Sequence, residues 1–217
     1  DGGAEIEISQ STILNGFIYA ATSSGIRRAL ITNPNLVDFS QWQQITPGNW
    51  MGIEAFGTEL LAIDQFGQIN RFNGTNFSLF SQLPLPAVDI RSSGDYLVIA
   101  TGKRVYVYNQ SLNVIAQVGS NVIPDLDPTF TSATVINGEI YIGSTENGVI
   151  TTSLSNPSSF EFISPSGPLR NNIFAFSAST ANLWAVFGAY AIDFNTEPRK
   201  YFGVSKYNSE SGWLNIP

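Results

Sequence analysis

Asp125 and Asp127, in Ile123-Pro-Asp-Leu-Asp-Pro128, would share one face of an extended segment because a single leucine separates them. Such a pair suits general acid and base chemistry or a calcium ion. Either use needs a third ligand or a held separation, and the flanking sequence supplies neither. The prolines on both sides mark an exposed connection instead. A second candidate is the segment Gly188-Ala-Tyr-Ala-Ile-Asp-Phe-Asn-Thr-Glu-Pro-Arg-Lys200, which carries Tyr190, Phe194, Arg199 and Lys200. Aromatic rings beside cations suit sugars or anionic groups, so these four are the candidate ligand- or partner-binding residues. The plainer reading is a loop that covers the body without a ligand. Trp42, Trp50 and Trp213 offer a carbohydrate-stacking platform or, more simply, core packing. Arg27 and Arg28 read as a solvated hairpin. The sequons at Asn73, Asn76 and Asn109 matter only in a secreted eukaryotic chain.

What is missing narrows the chemistry further. The 217 residues include no histidine and no cysteine, which removes imidazole bases, thiolate nucleophiles, disulfides and the usual zinc and iron-sulfur ligand sets. Only carboxylates remain for acid-base work, and no catalytic residue, metal site or cofactor is expected. Seventeen acidic residues against ten basic ones give a net charge of -7, with no basic run. That balance argues against nucleic acid as a partner. No apolar stretch approaches the ~20 residues of a membrane-spanning helix. The chain opens on Asp1 rather than methionine, as after removal of an export signal or at an imposed boundary.

These residues must be held by something, and the chain repeats. A strand of aliphatic and aromatic residues recurs as Gly16-Phe-Ile-Tyr-Ala-Ala-Thr22, Glu59-Leu-Leu-Ala-Ile-Asp64, Asp95-Tyr-Leu-Val-Ile-Ala-Thr101, Gly138-Glu-Ile-Tyr-Ile-Gly-Ser144 and Asn182-Leu-Trp-Ala-Val-Phe187. With Tyr19, Leu61, Val98, Tyr141 and Trp184 taken as equivalent, the spacings are 42, 37, 43 and 43 residues. Each apolar strand is preceded by a shorter one, such as Ala87–Arg91 or Ser132–Ile136, and followed by two more. Four antiparallel strands at this period are the signature of a β-propeller blade. An apolar run without alternation fits a strand covered on both faces. The dipeptides Asn15-Gly16, Asn73-Gly74 and Asn137-Gly138 suit type I′ hairpins, and Asn33-Pro34 matches Asn156-Pro157 between the last two strands of their units. No long stretch holds a 3.6-residue period, so helix content is expected to be very small.

The predicted fold class is therefore all-β, a β-propeller of five four-stranded antiparallel blades at about 4–47, 48–83, 84–120, 121–165 and 166–217, in one domain over 1–217. Five units allow a closed ring or consecutive blades of a larger one, and the tidy count favours closure within the chain. Small and polar residues in Ser132-Ala-Thr134 and Ser177-Ala-Ser179 suit inner strands lining a channel.

The segment Ser166-Gly-Pro-Leu-Arg-Asn-Asn-Ile-Phe174, then Asn182-Leu-Trp-Ala-Val-Phe-Gly188, a long insertion and Gly203-Val-Ser-Lys-Tyr-Asn-Ser-Glu-Ser-Gly-Trp213 resembles the propeller region of PorZ-like proteins, surface components of the type IX secretion system of Bacteroidota. Gly167-Pro168, Asn171 and Ile173 also resemble the blade signature of two-component-regulator propellers. The resemblance implies an extracytoplasmic location at the periplasm or cell surface, and a protein or anionic glycan partner such as lipopolysaccharide. It carries over no catalytic residue. It gives Gly167 and Pro168 the turn into an inner strand and Asn171 its cap. Three functions follow as expectations: a binding or scaffold module of the cell envelope, a periplasmic sensor domain recognising an oligosaccharide, or a carboxylate-only glycan-active enzyme with its acids in the central funnel.

Overall fold

The computed structural model of the chain describes residues 6–163, 166–170, 173–188 and 203–216. Twenty strands form five four-stranded antiparallel sheets, each in simple sequence order. The first holds Ile8–Leu14 (β1), Phe17–Thr22 (β2), Gly25–Leu30 (β3) and Gln43–Thr46 (β4). The second holds Trp50–Phe56 (β5), Glu59–Asp64 (β6), Gln68–Phe72 (β7) and Phe77–Gln82 (β8). The third holds Ala87–Ser93 (β9), Tyr96–Thr101 (β10), Arg104–Tyr108 (β11) and Val114–Gly119 (β12). Phe130–Ile136 (β13), Glu139–Ser144 (β14), Val149–Ser153 (β15) and Glu161–Ile163 (β16) make the fourth. Ile173–Ala178 (β17), Asn182–Phe187 (β18), Val204–Asn208 (β19) and Gly212–Ile216 (β20) make the fifth. The only helical residues among those described lie in two 3₁₀ turns, Phe39–Gln41 and Ser120–Val122. These sheets are the blades of a β-propeller-type fold.

Two compact units share the sheets, Asp1–Ile163 with the first four and Ser164–Pro217 with the fifth. In the first unit, β1, β5, β9 and β13 lie side by side in that order. The second strand of each blade is sandwiched, and its alternate residues feed different cores. Leu60 and Ala62 of β6 pack with Tyr19, Ala21 and Ile26 of the first sheet, while Leu61 and Ile63 pack toward Leu97 and Ile99 of the third. Val98 and Ala100 of β10 turn the other way, to Ile140, Ile142 and Phe130 of the fourth. Burying a Leu or Ile side chain completely is worth about 1.5–3 kcal/mol, which is why these strands read as unbroken apolar runs. In the second unit the Ser205 hydroxyl accepts from Leu169 N–H at 2.8 Å and donates to Asn215 Oδ1 at 2.6 Å. Asn215 Nδ2 donates to the Gly167 carbonyl at 3.2 Å, so Ser166–Arg170 is fastened to the fifth sheet by its outer strands.

Every inner strand carries a bulge at the same place. The pairings Ile8↔Thr22 and Gln10↔Ala21 leave Ser9 over, and equivalent shifts leave Met51, Val88, Thr131 and Phe174. All five bulged side chains are exposed. Turn chemistry matches expectation at Asn15-Gly16 (φ 50° and 78°) and Asn137-Gly138 (φ 51° and 81°). It differs at Asn73-Gly74, where only the glycine has positive φ. There Asn73 Oδ1 accepts from the N–H groups of Thr75 and Asn76, an Asx-type turn in a longer loop, and the β7–β8 connection is no two-residue hairpin.

Candidate functional site

Tyr190, Phe194, Arg199 and Lys200, with Asn171, lie outside the described residues. The paired aspartates do not act together. Asp125 occupies a left-handed turn position at φ 59°. Asp127 accepts from the Ser120 hydroxyl and meets Lys103 Nζ at 3.0 Å. Trp42 and Trp50 do not form one platform either. Trp50 is buried between the first two sheets with its indole N–H on the Pro47 carbonyl at 3.1 Å, whereas Trp42 lies on the opposite face of the first sheet. Trp213 packs on Tyr207 in the second unit, with ring centroids 5.3 Å apart.

The inner strands of the first unit carry the acids Glu54 and Asp89, and each is already engaged. Glu54 on β5 accepts from Gln10 Nε2 of β1 at 3.0 Å and from Ser92 of β9, at 2.9 Å from the backbone N–H and 2.5 Å from the hydroxyl. Gln10 Nε2 also reaches the Ile90 carbonyl at 2.9 Å. Asp89 holds Arg91 at 3.4 Å and accepts from Ala133 N–H of the next blade at 3.4 Å. These bonds staple neighbouring blades together. Among the described residues no group of three or more acidic side chains could hold a metal ion. Burial, followed by the neighbouring Tyr106, pushes the Tyr108 phenol up to about 12.

A second polar cluster fastens the third blade to the fourth. Lys103, in the β10–β11 turn, reaches the carbonyls of Asp127 and Pro128 at 3.0 and 3.4 Å, and Glu146 accepts from Thr129 N–H at 3.1 Å. The Ser120 hydroxyl, then Lys103, holds the Asp127 carboxyl below its usual range. Thr145, then the Thr129 N–H, does the same for Glu146. A lowered folded pKa gives stability that is full above the ordinary carboxylate value of about 4 and is lost as pH falls through the lowered one. The urea midpoint is therefore expected to hold level down to about pH 4 and to fall below it. Asp127→Asn should flatten part of that acid limb; an unchanged limb would remove the cluster as its cause.

A cavity of about 630 Å³ lies at the hairpin end of the first and second sheets. The β1–β2, β5–β6 and β7–β8 turns set its rim, with Asn15, Thr58 and Asn73. Tyr19, on β2, and Phe72, on β7, meet edge to face in its wall, centroids 6.1 Å apart. Arg28 on β3 lies opposite Tyr19 in the ladder, its guanidinium 4.8 Å over the Phe17 ring and its Nε donating to Gln43 Oε1 at 3.2 Å. Arg71 makes a two-pronged pair with Glu59, both contacts at 2.5 Å, which leaves that pair neutral. Arg28 has no carboxylate partner among the described residues, so the groove keeps a net positive group over an aromatic floor.

Arg27 and Arg28 are thus not a solvated hairpin. They occupy the middle of β3 and point to opposite faces, each half buried and each over a phenylalanine, Phe39 at 4.3 Å for Arg27. The signal that marks them is a charged pair inside an apolar run, between Ile26 and Ala29, rather than at its end.

Four-stranded antiparallel sheets with adjacent inner strands, repeated along the chain, define the β-propeller class of domain. No family model and no curated protein matches the chain. Among solved structures it is similar to PorZ, a bacterial surface component of the type-IX secretion system of Porphyromonas gingivalis, at 17% identity and a TM-score of 0.67, over 97% of this chain and 28% of that one. It is also similar to the extracellular domain of the hybrid two component system BT3049 from B. thetaiotaomicron, at 17% identity and a TM-score of 0.55, over 96% of this chain and 33% of that one. The AfRom2 CNH domain shares the fold at 7% identity and a TM-score of 0.57. The chain spans a third or less of the length of the two bacterial proteins. No helix among the described residues is long and apolar enough to cross a membrane.

Proposed function

We propose that this chain is a non-enzymatic binding domain of a bacterial cell-envelope protein and that it engages an acidic glycan through the groove between its first two blades. The observation that carries the reading is Arg28, a guanidinium without a carboxylate partner among the described residues, stacked on Phe17 beside Tyr19 and Phe72 and ringed by Asn15, Thr58 and Asn73. Aromatic faces take the apolar side of a sugar ring, amides and hydroxyls take its hydroxyls, and an unpaired arginine takes a carboxylate or phosphate. Support for the envelope comes from the two bacterial proteins of similar fold, named as a surface component and an extracellular domain. The non-enzymatic part rests on a chain without histidine or cysteine whose inner-strand acids are tied up between blades.

Calorimetric titration with oligogalacturonides should give saturable binding that maltohexaose does not match. Arg28→Gln should weaken it by about tenfold or more, the loss of one charge-assisted hydrogen bond. Equal binding of acidic and neutral sugars would overturn the reading. Arg199→Ala with Lys200→Ala separates the sources: loss of binding there and not at Arg28 would move the site to the insertion.

The likeness to an extracellular two component domain favours a second reading, a periplasmic sensor that recognises an oligosaccharide. A membrane-spanning segment and kinase encoded beyond Pro217 would support it, and a stop codon there would end it.

A further inference from the structure

On the face of the first sheet turned away from the second lies a separate cavity of about 240 Å³. Ile8, Ala20, Leu36, Phe39 and Trp42 wall it, and Arg27 is its charged residue. The β3–β4 connection folds over the sheet to build this wall, fixed by the Trp42 indole N–H on the Leu36 carbonyl at 3.0 Å. Arg27 is held flat by the Phe39 ring and by its Nη2, which donates to Gln44 Oε1 at 3.1 Å. Its Nε–H is buried and has no hydrogen-bond partner among the described residues. Leaving a buried donor of a charged group unpaired is costly, and such atoms are rare in folded proteins. The other polar side chains of the cavity are satisfied: Thr22 donates to the Gly25 carbonyl at 2.6 Å, and Trp42 is bonded as described. Arg27 makes no ion pair among the described residues.

A cavity with apolar walls and one guanidinium that makes no ion pair among the described residues selects a ligand with one anionic head and an otherwise apolar body. We propose that this cavity is a binding site for a short apolar monocarboxylate, whose head pairs with the Arg27 guanidinium while its tail lies among Ile8, Ala20, Leu36 and Trp42. At about 30 Å³ for a water-sized group, 240 Å³ admits about eight heavy atoms, the size of hexanoate. A peptide terminus fits less well, because its amide N–H and extra carbonyl would find no free partner on these walls. Ile8 and Phe39, 64% and 52% exposed, leave the entrance open. The site is independent of the Arg28 groove, which lies on the other face of the same sheet.

Titrating the chain with hexanoate at neutral pH, and following Arg27 Nε–H and the Trp42 indole N–H by ¹⁵N–¹H NMR, tests the site. Hexanoate should shift both signals saturably, acetate should bind about tenfold more weakly or worse for want of a tail, and hexylamine should not bind. Arg27→Gln should cost at least about tenfold in affinity with the remaining spectrum unchanged. Leu36→Phe, which fills the cavity from the connection while keeping the cation, should also abolish binding and serves if Arg27→Gln does not fold. Hexylamine binding as well as hexanoate, equal shifts around Arg28 or Arg104, or a Leu36→Phe variant that binds normally would each overturn the proposal.

Discussion

Phe130→Ala is expected to destabilise the first unit by about 3–5 kcal/mol, the largest effect of any single truncation proposed for this chain. Phe130 opens β13, is 1% exposed, and fills the space between Val98, Ala100 and Val105 of the third blade and Ile140 and Ile142 of the fourth. Its backbone N–H is bonded to the Gly102 carbonyl at 2.9 Å, so the strand cannot slide to close the void. The loss then combines the transfer of a ring to water with an unfilled cavity. For a chain of this size the thermal midpoint should drop on the order of 10 °C. Amide exchange should accelerate first in β10 to β15, the strands that share this core. A loss below about 1 kcal/mol would show that the two blades close around the smaller side chain.

Gly52→Ala should cost about 1–3 kcal/mol, a large effect for one added methyl group. Its backbone is ordinary, so the reason is space. A Cβ there would stand 2.5 Å from Ile90 Cγ2 and 2.9 Å from Gln10 Oε1. Gln10 has a flexible end and can give way, but Ile90 is 1% exposed in the core between the second and third blades. Yielding would also pull Gln10 from the Ile90 carbonyl and from Glu54, which joins the first three blades. In an Ile90→Ala background the Gly52→Ala penalty should shrink, because the atom it strikes is gone. Additive costs in the double variant would rule out the clash as the cause.

The blade plan was legible because sheet stacking writes itself into composition. A strand covered on both faces must be apolar throughout, so Leu60–Ile63 and Leu97–Ala100 announce themselves without any alternation. β6 and β18 were readable to the residue, as Glu59–Asp64 and Asn182–Phe187. The inner strands were less even: β9 starts at Ala87 as read, but β13 begins at Phe130 rather than Ser132, because the extra residue Thr131 shifts the two-residue period and hides the join. Both arginine sites escaped for a related reason. Arg27 and Arg28 look like one basic pair along the chain, yet a strand sends neighbours to opposite faces, so each belongs to a different cavity. The partners that define those cavities, Phe39 and Gln44 for one and Phe17 and Gln43 for the other, come from different strands and turns, which no local pattern reveals. The acids followed the same rule in reverse. Asp125 and Asp127 looked paired in sequence and are separated by a turn, whereas Glu54 and Ser92 are 38 residues apart and bonded.

The bulge shared by all five inner strands has a consequence for how this chain can change. In the first four blades the residue squeezed out of the ladder is exposed and has no place in the strand register, and it is serine, methionine, valine or threonine on an unvarying backbone. Exposed positions of this kind accept substitution at roughly half a kcal/mol or less. The fold thus offers one readily rewritable letter in each of its first four repeats, always at the same point of the same strand, where new surface chemistry can be written while the stacked interior stays as it is.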